Sequence, residues 1–326
     1  MLDDAASPSA RRRAWAPAWG PIARAPGVAY ALVLLVAIYS VAAPGFASIG
    51  NLANVLSQSV ILLIVALPMT LIIMTEGMDL SAGAVLSLAS VVLTMIALQT
   101  QSVALGVLAG LVVGAAFGAL NGLLVAYLQI QPFVATLGTL GAAQGLALVL
   151  TDGQSVDGIP PAIASVYSAR LAGIPAPIVI GAVVYALFHV VLYHTRLGTY
   201  VPALGGNPQA LELAGVPRRG MLVVVYAIGG CAAALAGLMM AARMNAGHPT
   251  AGIGTEFDAI AAVAVGGTSF EKGDGWLLGT LLGVLAVGIL RNGLNIMAIP
   301  SSAQVAGVGV LTIATIFLDA RRRRRP

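Results

Sequence analysis

The sequence predicts an all-α fold: a polytopic transmembrane helical bundle of about ten spans, one of them short or broken, with both termini in the cytoplasm. Three observations predict it. Of the 326 residues, 59% are apolar and only 9% are charged. An ordinary soluble domain carries about 25% charged residues, and so few cannot cover a water-facing surface of this size. No charged side chain occurs from Ala25 to Thr75, nor in the 72 residues from Leu80 to Thr151. At about 20 residues per helical span, these intervals hold two and three spans. The apolar runs are also continuous rather than alternating, which rejects a β-barrel.

Polar or Pro/Gly clusters divide the runs: Ala43-Pro44-Gly45, Gln99-Thr100-Gln101-Ser102 and Gln129-Ile130-Gln131-Pro132. The first five spans are 27–43, 52–74, 80–98, 103–127 and 132–151. The later ones are 176–194, 220–242, 258–269, 275–293 and 302–319. This gives a cytoplasmic tail over 1–26, a transmembrane domain over 27–320 and a basic cytoplasmic tail over 321–326. With the N-terminus inside, 13 of the 16 positive charges are cytoplasmic, and only Arg170, Arg243 and Arg291 face outward. Arg11 to Arg13, an apolar run and Ala42-Ala43 raise the question of a cleavable signal. The long basic region and the spans that follow favour an uncleaved first span. Segment 258–269 offers about 18 Å of helix, short of a bilayer core of about 30 Å. Charge parity still demands a crossing there, so it reads as a short or broken helix shielded by neighbours.

Several function classes fall away. The net charge is only +4, and the arginines sit in clumps at apolar boundaries, so nucleic-acid binding is not expected. Cys231 is the sole cysteine, which removes disulfides and cysteine zinc sites. Lys272 is the sole lysine and lies in no Gly-Lys-Ser/Thr context, so the chain has no P-loop. His189, His194 and His248 form no metal or catalytic pattern, and no Gly-x-Ser-x-Gly elbow exists. No metal, no cofactor and no catalytic residue is expected in this chain. Any use of ATP requires a partner ATPase, with the nucleotide and magnesium bound there.

Three groups of residues remain. Gly106, Gly110, Gly114, Gly118 and Gly122 recur every four residues, and Gly275, Gly279 and Gly283 repeat the ladder in the ninth span. Such ladders let backbones approach within the bundle, in a dimer seam or at a sliding surface. Glu76, Asp79 and Ser81 lie between the second and third spans, as helix caps or as pathway and gating residues. Glu256 and Asp258 pose the same question at the start of the short span. The cytoplasmic stretch 195–219 contains Gly205-Gly206-Asn207 and Ala210-Leu211-Glu212-Leu213-Ala214-Gly215. Asn207 can cap a short helix, Pro208 suits its first turn and Gly215 can end it. That helix is a connector or a docking element, with Ala210, Leu211, Ala214 and Val216 as its apolar contacts.

These segments resemble the permease subunits of ribose-type ABC importers, in the superfamily that also holds branched-chain amino acid permeases. Thr75-Glu76-Gly77-Met78-Asp79-Leu80-Ser81-Ala82-Gly83 resembles the family's Thr-Gly-Gly-Ile-Asp-Leu-Ser-x-Gly stretch, with Glu76 where the family has glycine. Pro132-Phe133-Val134-Ala135-Thr136-Leu137-Gly138 resembles its Pro-Phe-Ile-x-Thr-Leu-Gly segment. Gly205-Gly206-Asn207 through Gly215-Val216 resembles its cytoplasmic coupling motif, with Gln209 in place of glutamate. The stretch from Glu256 to Ser269 is the most specific match, with Asp258, Ala261, Gly266, Gly267 and Thr268 as pathway or gating candidates, and Arg291-Asn292-Gly293-Leu294-Asn295 follows it.

The resemblance implies a multi-pass subunit of the bacterial inner membrane that moves a monosaccharide or related polyhydroxylated solute by alternating access. Its implied partners are a second permease subunit, as a homodimer, a cytoplasmic ABC ATPase and a periplasmic substrate-binding protein. A permease for a branched-chain amino acid or nucleoside is the alternative within the superfamily. An ion-coupled secondary transporter would need a mid-membrane carboxylate that the charge-free spans do not offer.

Overall fold

A computed structural model gives the architecture and describes residues 26–271 and 273–323. Arg11 to Arg13, Arg24, Lys272 and the side chains of Arg321 to Arg325 lie outside what is described, so the charge readings that rest on them do too.

Helix α1 (Pro26–Ala42) leads into α2 (Ile49–Met74), which opens on Ser48; the Ser48 hydroxyl accepts the Asn51 N–H at 3.2 Å. Helix α2 passes through Pro68 and stops at Thr75, whose N–H and hydroxyl both return to the Ile72 carbonyl at 3.0 and 2.7 Å. Two residues join α3 (Ala82–Thr100) to α4 (Val103–Ala126): Gln101 in the left-handed region turns the chain, and Ser102 caps α4. Helix α5 (Pro132–Thr151) opens on a proline, whose missing N–H costs nothing in a first turn.

Strand β1 (Val156–Asp157), helix α6 (Pro161–Ser168), and strands β2 (Arg170–Leu171) and β3 (Ile174–Pro175) follow. Next come α7 (Ala176–His194), α8 (Arg196–Gly206), α9 (Pro208–Leu213) and α10 (Arg218–Met244). Strand β4 (Ala246–Gly247), α11 (Thr255–Val265), α12 (Leu277–Ile296) and α13 (Ser301–Arg323) complete the chain. Among the described residues, the regular structure is helical apart from two minimal antiparallel pairs, β1 with β4 and β2 with β3.

Among the described residues, seven helices are long and apolar enough to cross a membrane: α2, α3, α4, α5, α7, α10 and α12. The other three expected spans correspond to α1, α11 and α13, whose apolar helical stretches are shorter. Helix α2 is the axis of the bundle, 83% buried along its apolar stretch and packed against α7, α10, α11 and α12. Helices α4 and α5 lie at the periphery, 22% and 28% buried.

The glycine ladder of α4 faces inward. A Cβ on Gly106 or Gly110 would strike α3 at Leu93 and Ala89, and one on Gly114, Gly118 or Gly122 would strike α10 at Gly230, Tyr226 and Val223. In α12, Gly279 presses against the backbone of Gly266, just past the end of α11, and Gly283 against that of Ala262 within it. Gly275 precedes α12 rather than belonging to its ladder, and it packs on Met74 and Thr268.

Candidate functional site

Residues 75–81 form a hook between α2 and α3. Glu76 sits at the bend, exposed, with φ +60°, a conformation that glycine adopts freely and other residues resist. Beyond it the chain doubles back into the bundle. The buried Asp79 accepts from the Ser81 N–H at 2.8 Å and from its hydroxyl at 2.6 Å. Burial pushes the Asp79 carboxyl above the usual carboxylate range, and the two Ser81 bonds pull it back. Asp79 or Ser81 was expected to cap α3, and Ser81 holds the N-cap position. Its hydroxyl makes no cap bond; it is engaged instead by Asp79 and by the Asn121 amide at 2.8 Å. Asn121 accepts from Thr139 on α5 at 2.6 Å, and the Tyr226 hydroxyl donates to the Met78 carbonyl at 3.3 Å. The hook is thereby tied to α4, α5 and α10.

The segment expected as a short or broken helix, 258–269, lies on α11 and the turn that follows it, and the chain that leads into it is also inside the bundle. Helix α10 ends at Asn245 in the left-handed region. The chain then runs along α3 without helical structure. Gly247 lies against Ser90 and Thr94, Gly252 lies against Gly83, and the Gly252 N–H donates to the Ser87 hydroxyl at 2.8 Å. Small residues on both strands of this contact let two backbones touch. Gly254, at φ +88°, then turns the chain into α11, whose 11 residues make about 16 Å.

Both first-turn acids of α11 are engaged. The Glu256 Oε1 atom accepts from the Gly254 N–H at 3.1 Å, and its buried Oε2 lies against Gly83 with no hydrogen-bond partner. Asp258 meets the Arg291 guanidinium at 2.6 and 2.8 Å through its two oxygens. Ala261 and Gly266 are buried against the core and α12, and Gly267 bends the chain at φ +87°. Thr268 is 4% exposed with its hydroxyl unpartnered. Of the pathway candidates, Asp258 and Glu76 each border a polar cavity, Glu76 one that it shares with Gln129, Gln131, Glu212, Arg218 and Arg219.

The 195–219 stretch holds two helices where one was expected. Helix α8 was not legible because Gly198, Pro202, Gly205 and Gly206 read as a loop. The helix is held by close backbone contacts of Gly205 with Met74 and of Pro202 with Gly273. Gly205 is therefore interior and unavailable for docking, whereas Gly206 is exposed. In α9, Asn207 accepts the Ala210 N–H at 3.0 Å, and Gly215, at φ +75°, ends the helix with bonds from Gly215 to Glu212 and from Val216 to Leu211. Leu211 was expected as an outward contact but packs inward with Ala126, Leu204 and Leu222. Leu213 is the outward residue, 91% exposed. Ala210, Glu212, Ala214 and Gly215 are exposed around it. Glu212 and Arg218 approach to 3.8 Å in solvent, a pairing of little energetic weight.

Four polar residues that join helices or line a cavity, Asn51, Asn121, Tyr226 and Gln304, were not selected from sequence. The available signal was a lone amide in an apolar helix, as in Ala119-Leu120-Asn121-Gly122.

A family model described as "Branched-chain amino acid transport system / permease component" matches residues 51–316. The ribose import permease protein of Escherichia coli K12 is 39% identical over 297 residues, covering 90% of this chain and 92% of that protein. The ribose import permease protein of Bacillus subtilis 168 is 36% identical over 293 residues, covering 89% and 91%. The D-allose transport system permease protein of Escherichia coli K12 is 34% identical over 295 residues, covering 90% of each. No solved structure matches the chain.

Proposed function

The chain belongs to the family of branched-chain amino acid transport system permease components, and on that premise we propose that it is the membrane subunit of an ATP-driven importer of a monosaccharide. The observation that carries this reading is identity to ribose and allose permeases along nearly the whole of both chains. The family description mentions amino acids, but these relatives are named for sugars. The chain is a transporter subunit, and a separate ATPase binds and hydrolyses the ATP, in keeping with a sequence that has no P-loop.

The protein is a multi-pass protein of the bacterial inner membrane with ten crossings and both termini in the cytoplasm. The 13-to-3 distribution of positive charge supports this orientation. It puts α8 and α9 on the cytoplasmic face. There the exposed surface of α9 around Leu213 meets the ATPase, and the contacts of Gly205 and Gly273 pass its movement to the end of α2. A periplasmic binding protein delivers solute to the opposite face. A second copy of the permease covers part of the periphery that α4, α5 and α7 leave open. Transport is by alternating access, with the buried Thr70–Thr280 contact closing the cytoplasmic end of the α2–α12 seam at 2.6 Å. The hook and α11 are its gating elements.

The test is reconstitution in proteoliposomes with the cognate ATPase and binding protein. ATP-dependent uptake of ribose or allose is expected. Uptake of leucine without either sugar, or sugar uptake driven by a proton gradient without the ATPase, would overturn the reading. Leu213→Asp is expected to leave the purified permease folded while lowering ATPase association about tenfold or more, the scale of an interface hot spot. Wild-type association would place the docking surface elsewhere.

A further inference from the structure

Five helices, α2, α10, α11, α12 and α13, enclose a cavity of about 350 Å³. That volume is at the small end of ligand pockets, which run about 300–1,000 Å³. It lies at the end of the bundle opposite α8 and α9, and its lining is unusual for an apolar protein. Ser59, Thr255, Asp258, Arg291, Asn292 and Gln304 all contribute to the wall.

Two features separate this wall from ordinary packing. First, its bonding capacity is incompletely used. Ser59 is 6% exposed, yet its hydroxyl has no partner, and the Nε of Arg291 has none either. A buried polar atom left unpaired costs about 1–3 kcal/mol. Both of these atoms belong to residues that border the same open volume. Second, the wall holds one ion pair and one further cation. Asp258 and Arg291 neutralise one another at 2.6 Å, and Arg243 at the rim is exposed. Such a lining presents hydroxyls, amides and a paired carboxylate and guanidinium, without an unopposed negative charge. It suits a molecule whose groups both donate and accept, and it does not favour a cation.

The surroundings give the cavity a direction. Thr255 and Asp258 belong to the first turn of α11, so this helix forms the floor and continues toward the opposite end. Below the cavity, the α2–α12 seam is shut at Thr70 and Thr280. Beside it, Asn51 and Asn292 exchange two amide bonds of 2.9 and 3.0 Å.

We infer that this cavity is a holding site for an uncharged polyhydroxylated solute, entered from the face opposite α8 and α9 and floored by α11. The inference rests on the importer reading and adds to it the residues that touch the solute. Thr255 and Ser59 donate to and accept from its hydroxyls, and the Asp258–Arg291 pair engages neighbouring hydroxyls together.

Two near-isosteric variants test it, because neither side chain has a hydrogen-bond partner in the protein to lose: Ser59→Ala and Thr255→Val. In the reconstituted complex with its binding protein, whichever of ribose or allose the wild type carries is measured. Each variant is expected to raise the KM for uptake about threefold, the effect of one neutral hydrogen bond, with unchanged assembly and thermal stability. Wild-type KM in both variants would overturn the site. A second measurement does not depend on the solute. Thr255→Cys in a Cys231→Ala background should react with an impermeant maleimide from the face opposite α8 and α9, and no reaction would overturn the entry route. If the wild type carries neither sugar but Thr255→Cys reacts, the sugar reading fails and the water-filled cavity stands.

Discussion

The α4–α10 seam and the α2–α12 seam each join antiparallel helices, and they do so by opposite means. Along α4 and α10, Gly114, Gly118 and Gly122 bring backbone against backbone at Gly230, Tyr226 and Val223. Apart from the Ala234 methyl beside Gly114, the facing atoms there are backbone. Along α2 and α12 apolar packing is interrupted by three small or polar contacts: Asn51 with Asn292 at one end, Ser59 against Gly288 in the middle, and Thr70 with Thr280 at the other. A glycine contact has one close-packed arrangement and loses its dispersion energy as soon as it opens. A polar contact can exchange its bonds for water or solute at small net cost. The first seam is suited to be a fixed frame and the second to be a seam that parts.

The largest expected effect comes from bulk in the frame. Gly114→Leu would force α4 away from the Gly230 carbonyl and Ala234. Overpacking of this kind costs about 3 kcal/mol or more when backbone is the neighbour. Loss of most monodisperse protein in detergent is expected, and a normal yield with normal transport would erase the distinction between the seams. Asp258→Asn comes next. It leaves the Arg291 guanidinium without its anion, at about 2 kcal/mol, below the about 3–5 kcal/mol of a fully buried pair because the Arg291 side chain is 36% exposed. A double-mutant cycle with Arg291→Gln, read by thermal unfolding, should show coupling of that order. The smallest is Thr70→Val, near-isosteric, which removes the 2.6 Å contact for about 1 kcal/mol. Its transport should change more than its stability, and the reverse would make Thr70 ordinary packing.

Much of the frame was legible in the sequence, and the reason is length. Segments 132–151 and 176–194 coincide with α5 and α7, because continuous apolar runs between proline and polar clusters leave little choice of ends. The glycine spacing marked close approach, though not which helices would meet. The site was less legible, because its determinants are partners distant in sequence. Residues 246–254 read as a loop, and only the small face of α3 at Gly83, Ser87 and Ser90 lets them run beside it inside the bundle. In α9, six residues make less than two turns, too few for periodicity to separate the inward Leu211 from the outward Leu213. Glu76 holds a positive φ, which glycine would take up without strain, and a single glutamate in the sequence gives no sign of it. Asn292 was visible within a motif, but its bond to Asn51 spans 241 positions.

The central claim is that the α2–α12 seam opens during transport. The direct test is a reversible lock across it: Thr70→Cys with Thr280→Cys in a Cys231→Ala background, assembled with the ATPase and binding protein in proteoliposomes. The two hydroxyls are 2.6 Å apart, so the paired thiols are placed to join on oxidation. The account predicts that the oxidised, cross-linked complex loses ATP-driven sugar uptake and regains it on reduction. Uptake at the uncross-linked rate by fully cross-linked protein would contradict it.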